Sequence, residues 1–153
     1  MIQAVLWDND GVLVDSETIF YEITRSAFIR LGLNLTKEIW GTQYLGEVRG
    51  TREIAFSLGA NPTDIDSIID ERNEYYRIAL RQPPAIRPQV SETLEALAGR
   101  LRMGIVTGSH REQLHLMHKS SGLLDFFDAI ITGDDSERTG SERTGSALEL
   151  GHI

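Results

Sequence analysis

Apolar positions along this chain follow two different rhythms. Ile2 to Trp7 is a short, nearly continuous apolar run, which predicts a strand buried on both faces. Met103-Gly104-Ile105-Val106-Thr107 and Ala129-Ile130-Ile131-Thr132 are two further runs of that kind. Elsewhere the spacing is helical. Ile19, Ile23, Ala27 and Leu31 form one stripe and predict a helix over 17–31, which Gly32 would end. From Thr36 to Arg81 the pattern stays helical, punctuated by Gly46, Gly50 and Gly59. Asn61-Pro62-Thr63-Asp64 combines a capping side chain, a proline in the first turn and an acid, and so predicts a helix start. Ile65, Ile68, Ile69, Tyr76 and Ala79 give that helix an apolar face. Val90, Leu94, Leu97 and Leu101 mark another amphipathic helix, and Ser109-His110-Arg111-Glu112 has capping-box spacing for one more.

The order of these elements sets the expected architecture. Strands alternating with helices imply an α/β fold with a parallel, Rossmann-like sheet of about three strands. The stretch from Ser16 to Gln82 carries no strand signal and reads as an all-helical insertion after the first strand. Gln82-Pro83-Pro84 is the clearest linker signal. The expected division is therefore residues 1–15 and 83–135 as the α/β core and 16–82 as the insertion. Residues 136–153, in which Ser-Glu-Arg-Thr-Gly occurs twice in succession, are expected to be an irregular tail.

Composition narrows the function. The chain has 153 residues, 41% of them hydrophobic, about one domain with enough apolar content for a core. Its net charge of −8, with no run of Lys or Arg, argues against a nucleic-acid partner. It has no cysteine, which excludes disulfides and thiolate metal sites. No stretch is long enough to span a membrane, and Asp8 and Asp10 fall where a signal peptide would need its apolar centre. The expectation is a soluble, cytoplasmic monomer without nucleic-acid or membrane partners.

The chemistry concentrates at the end of the first apolar run. Asp8 would lie at the carboxyl end of a strand, where open α/β sheets bind ligands. Strand alternation could project Asp8 and Asp10 to the same side, and two close carboxylates repel unless a cation or shared proton relieves them. Gly11 permits a tight turn and close approach to a bound group. A plain Asx-rich turn would use the same residues, and the short motif leaves both readings open.

The longer string is more specific. Asp8-Asn9-Asp10-Gly11-Val12-Leu13-Val14-Asp15-Ser16-Glu17 resembles the first signature of the haloacid dehalogenase superfamily, within the phosphatase and β-phosphoglucomutase-like branch with a small helical cap. The resemblance implies that Asp8 is the nucleophile that forms an aspartyl-phosphate and that Asp10 is the general acid/base, both beside Mg²⁺. A second aspartate at this spacing is characteristic of phosphoryl transfer and is absent from members that cleave carbon–halogen bonds. Thr107 matches the family residue that hydrogen-bonds a phosphate oxygen, and Gly108 and Ser109 lead into a helix N-terminus suited to anions. The implied substrate is a small phosphorylated metabolite, a sugar phosphate or phosphoglycolate. A phosphomutase of the β-phosphoglucomutase type is the enzymatic alternative, and a remnant that only binds phosphate or a partner is the non-enzymatic one.

Further candidates rest on less. Family caps present a polar or basic residue to the substrate, and Arg49 and Arg52 in Gly46–Arg52 are candidates, as are two merely solvated arginines. His110, His115 and His118 lie close in sequence but lack a carboxylate at matching spacing, so solvent-facing or packing roles are expected. Tyr75 and Tyr76 are expected at the rim and core of the insertion. The family's later signatures, a lysine after the third strand and an acidic pair after the fourth, have no match. Asp134 and Asp135 do not stand where those acids would. The first strand would then expose an edge, and weak activity, or none, is expected. Such electrostatic groups are each worth roughly 10²–10³ in rate.

Overall fold

A computed structural model describes residues 2–135, so the repeat-containing stretch 136–153 lies outside the described residues. Three parallel strands form one sheet in the order β1 (Ala4–Trp7), β2 (Arg102–Val106), β3 (Ala129–Ile131). Leu6 lies opposite Gly104, and Gly104 lies opposite Ala129. A Cβ at Gly104 would come within 3.0 Å of Leu6 Cδ2, so the absence of a side chain sets the close packing of these strands.

All elements between β1 and residue 80 are helical. They are α1 (Ser16–Arg30), α2 (Lys37–Ile39), which runs on as a π-helix over Trp40–Gly46, α3 (Thr51–Ser57) and α4 (Pro62–Ala79). Asn61 caps α4 as expected, its side chain accepting from Thr63 N–H. The π-helix was not foreseen. Within it Trp40 and Tyr44 stack with ring centroids 3.9 Å apart. These helices enclose a core of their own, built from Tyr21, Phe28, Leu35, Trp40, Ile54 and Ile65. Tyr76 is buried and Tyr75 is half exposed, in line with the expected core and rim.

Helices α5 (Val90–Leu97) and α6 (Arg111–His118) follow, with a 3₁₀ turn over Leu123–Phe126 before β3. Val90, Leu94 and Leu123 pack with Met103, Ile105 and the partly buried Trp7 and Ile130 against one face of the sheet. The other face departs from the expectation that β1 is buried on both sides. Leu6 is 60% exposed, Val106 41% and Ile131 47%. Register explains it: these residues share the face that no described helix covers, while their strand neighbours point into the core. Among the described residues β1 pairs only with β2, which leaves its outer edge unpaired. No helix among these residues is long and apolar enough to cross a membrane.

Candidate active site

The turn after β1 is built around one carbonyl. Asn9 C=O accepts from the N–H groups of Val12, Leu13 and Val14 at 2.9–3.3 Å, and Gly11 N–H donates to Val14 C=O at 2.9 Å. Gly11 has φ +74°, and a Cβ there would meet Glu17 Oε2 at 2.9 Å. Both observations require glycine at this corner. The Asn9 side chain is fully buried. Its Oδ1 accepts from His118 Nε2 at 2.7 Å and its Nδ2 donates to Met117 Sδ at 3.1 Å. Asn9 thus anchors the turn inward, while Asp8 and Asp10 on either side line the same cavity of about 580 Å³.

The two carboxylates are held very differently. Asp10 is clamped: Ser16 Oγ donates to Oδ1 at 2.6 Å, and Thr107 Oγ1 and Ser109 Oγ donate to Oδ2 at 2.9 and 2.8 Å. Asp8 accepts from the backbone N–H of Asn9 at 2.7 Å, and no described side chain donates to it. Burial pushes the Asp8 carboxyl above its usual range, the Asn9 N–H opposes that, and the Asp10 charge adds to it. Glu17 is a third carboxyl on the cavity, with Oε1 buried. Burial raises it, Trp40 opposes, and the charge on Asp10 adds to the rise.

Thr107 and Ser109 therefore converge on Asp10 from the end of β2, and Gly108 and Ser109 line the cavity. Ser109 does not cap α6 as the capping-box spacing predicts. The N-cap is His110, whose N–H donates to Gln113 Oε1 at 3.2 Å, because the Ser109 hydroxyl is engaged by Asp10. Arg49 lines the cavity and donates to Gln43 Oε1 at 3.1 Å. Arg52 stands apart, paired with Asp66 on exposed surface, because its place in the first turn of α3 turns it toward α4. Asp134 accepts from Arg111 N–H at 2.6 Å and pairs with His110. Asp135 accepts from Thr132 and Arg111. Neither of these acids lines the cavity.

The sequence reading missed Ser16, Glu17, Tyr44, Arg72 and Tyr76 as cavity or carboxylate-holding residues. One signal was available. Arg72 interrupts the apolar stripe of α4, four residues after Ile68 and four before Tyr76, and all three are buried.

Among the described residues no group of three or more His, Cys, Asp or Glu side chains could hold a metal. What the cavity offers is the free Asp8 carboxylate and the remaining lone pair of Asp10 Oδ1. Hard oxygen donors that repel each other suit a cation such as Mg²⁺, which binds through one or two carboxylates and completes its shell with water and phosphate.

Residues 5–144 match the haloacid dehalogenase-like hydrolase family. The chain belongs to that family. It is 29% identical over 144 residues to the pyrophosphatase PpaX of Oceanobacillus iheyensis, covering 88% of this chain and 61% of that protein. It is 28% identical over 139 residues to a phosphoglycolate phosphatase of Yersinia pseudotuberculosis, covering 88% and 60%. The fold superposes with a TM-score of 0.64 on CbbY of Rhodobacter sphaeroides, solved in complex with xylulose-1,5-bisphosphate, at 20% identity over 88% of this chain and 64% of that one. This member of the haloacid dehalogenase-like family thus spans about three-fifths of the length of these relatives.

Proposed function

We propose that this chain is a Mg²⁺-dependent phosphohydrolase acting on a small phosphate monoester, of the sugar phosphate or phosphoglycolate type, through an aspartyl-phosphate on Asp8. The unequal holding of the two carboxylates carries this reading. A nucleophile needs lone pairs free to attack phosphorus, and Asp8 receives no side-chain donor. A general acid/base needs a fixed position beside the leaving oxygen, and Asp10 is fixed by three hydroxyls.

In the proposed cycle, Asp8 Oδ attacks phosphorus in line and the bond to the leaving oxygen breaks. Asp10 gives that oxygen its proton, then takes one from the water that hydrolyses the acyl-phosphate. Asp8 and Asp10 are the side chains that would hold Mg²⁺, and the cation would supply neutralisation of phosphate charge. Thr107, Gly108 and Ser109, at the end of β2, would receive the phosphate on the side of the cavity next to Asp10. Arg49 would face the remainder of the substrate. Residues 16–82 act in this reading as a cap over the core formed by 1–15 and 83–135, excluding water during transfer. The net charge of −8 supports an enzyme with no nucleic-acid partner, and a cytoplasmic location belongs to this reading. The names of the relatives, a pyrophosphatase and a phosphoglycolate phosphatase, support the substrate class.

The test is phosphate release from a panel of phosphate monoesters with Mg²⁺, with EDTA, and with Asp8→Asn. Release that needs Mg²⁺ and is lost in the variant supports the reading. Release indifferent to either one overturns it, as does the absence of any Mg²⁺-dependent release, which would leave a phosphate-binding remnant.

A further inference from the structure

The reaction above uses the aspartates on either side of Asn9 and gives the Asn9 side chain no part. That side chain is fully buried, and a buried amide needs partners for both its oxygen and its NH₂. It finds them on α6, in His118 Nε2 and Met117 Sδ. His118 is buried too, and its Nδ1 lies 3.0 Å from Ser121 Oγ. Ser121 is fixed in turn, because its hydroxyl oxygen accepts from Leu123 N–H at 3.1 Å. The Asn9 backbone makes this residue the hub of the site. Its N–H donates to Asp8 Oδ1 at 2.7 Å, and its C=O gathers the N–H groups of Val12, Leu13 and Val14. Any rotation of Asn9 would displace the Asp8 carboxylate and the turn that carries Asp10 together. Packing alone does not call for this polar chain, since apolar side chains of similar volume at 9 and 118 would fill the site without leaving a polar group to satisfy. A directional hydrogen bond instead fixes one orientation, where dispersion contacts would tolerate several.

We propose that His118, held by Ser121, is a positioning residue that acts through Asn9 to aim the Asp8 carboxylate at phosphorus. The assignment rests on the phosphohydrolase reading for the nucleophile and adds to it the route by which the core holds that nucleophile in line. His118 touches neither substrate nor metal in this account. Its effect falls on Asp8, which receives no side-chain donor of its own and so takes its direction from the Asn9 N–H. In-line attack is sensitive to such aim, because a displacement of about 1 Å costs on the order of 100-fold.

The test uses two readouts on the full chain. One is the ¹H–¹⁵N spectrum, in which the Asn9 amide proton is expected downfield because it is bonded to a carboxylate. The other is Mg²⁺-dependent uptake of fluoroberyllate, which occupies Asp8 as a phosphoryl group would, followed by ¹⁹F NMR. His118→Leu leaves Asn9 Oδ1 unpaired. It should move the Asn9 amide upfield and weaken fluoroberyllate binding about 10- to 100-fold. His118→Gln, whose NH₂ can still donate to Asn9 Oδ1, guards against a folding defect and should keep the amide in place and most of the affinity. Undiminished affinity in His118→Leu overturns the assignment, as does a large loss in His118→Gln with the Asn9 amide unmoved; either result leaves Asp8 as the nucleophile. Failure of wild type to take up fluoroberyllate overturns the phosphohydrolase reading and the assignment with it.

Discussion

His118 Nε2 donates to Asn9 Oδ1 at 2.7 Å, which ties α6 to the residue between the two candidate catalytic aspartates. Both side chains are buried, and His118 Nδ1 is within 3.0 Å of the Ser121 hydroxyl, so the neutral imidazole can satisfy both nitrogens. The contact joins elements more than a hundred residues apart in the chain and holds the turn that aims Asp8 and Asp10 into the cavity.

This pairing makes stability depend on pH in a definite direction. Burial lowers the His118 pKa below its ordinary 6.5, Asp10 opposes that and His115 adds to it. The unfolded chain therefore takes up the proton first as pH falls. The contribution is complete above the unfolded value and is lost as pH drops through 6.5 toward the lower folded value. Urea titrations at about pH 7.5 and about pH 5.5 should show wild type losing more stability than His118→Gln across that interval. His118→Ala should cost about 1–3 kcal/mol through the unpaired Asn9 Oδ1 alone. An equal pH slope in wild type and His118→Gln would contradict the assignment.

Gly11 and Gly32 separate backbone strain from collision. Both have positive φ, +74° and +72°, but a Cβ at Gly11 meets Glu17 Oε2 at 2.9 Å whereas at Gly32 nothing lies within 4 Å. Gly32→Ala should cost about 1–2 kcal/mol, the left-handed backbone penalty. Gly11→Ala should cost more, because Glu17 must move as well. Chemical denaturation of the two variants checks the order, and a smaller loss at Gly11 would refute it.

The two faces of the sheet should respond unequally to truncation. Ile105 is 1% exposed within the core and Leu6 is 60% exposed on the uncovered face. Ile105→Ala should cost about 2–5 kcal/mol. Leu6→Ala should cost about 1 kcal/mol or less. Denaturant midpoints measure both, and comparable losses would show that the Leu6 face is covered in solution.

Strands, helices and the paired carboxylates at the end of β1 were legible because each rests on local spacing. The apolar runs located β1, β2 and β3 in order, and Asn61-Pro62 marked the start of α4. Asp8, Asp10 and Ser109, which line one cavity, were readable as candidates because short motifs name them. Relations between distant residues were not legible. Burial of only one face of β1 depends on which helices return to the sheet, and a continuous apolar run looks the same either way. The preference of Ser109 for Asp10 over capping α6 depends on a carboxylate 99 residues away. Arg49 and Arg52 were equivalent in sequence, and the packing of α3 against α4 separated them by giving Arg52 the Asp66 carboxylate. Arg72 left a trace as a charge inside an apolar stripe, but its cavity exists only once α1, the π-helix and α4 come together.

The most direct measurement is where phosphorus goes. The chain is incubated with Mg²⁺ and a ³²P-labelled phosphate monoester, quenched in acid and mapped by peptide, as wild type, as Asp10→Asn and as Asp8→Asn. The account predicts an acid-stable, hydroxylamine-labile label on the peptide containing Asp8. The label should be absent from Asp8→Asn; in Asp10→Asn, which lacks both the proton donor for the leaving oxygen and the base for water, it should form more slowly and, once formed, outlast the wild-type label in a chase with unlabelled substrate. Turnover with no label on that peptide, or label that persists in Asp8→Asn, would contradict it.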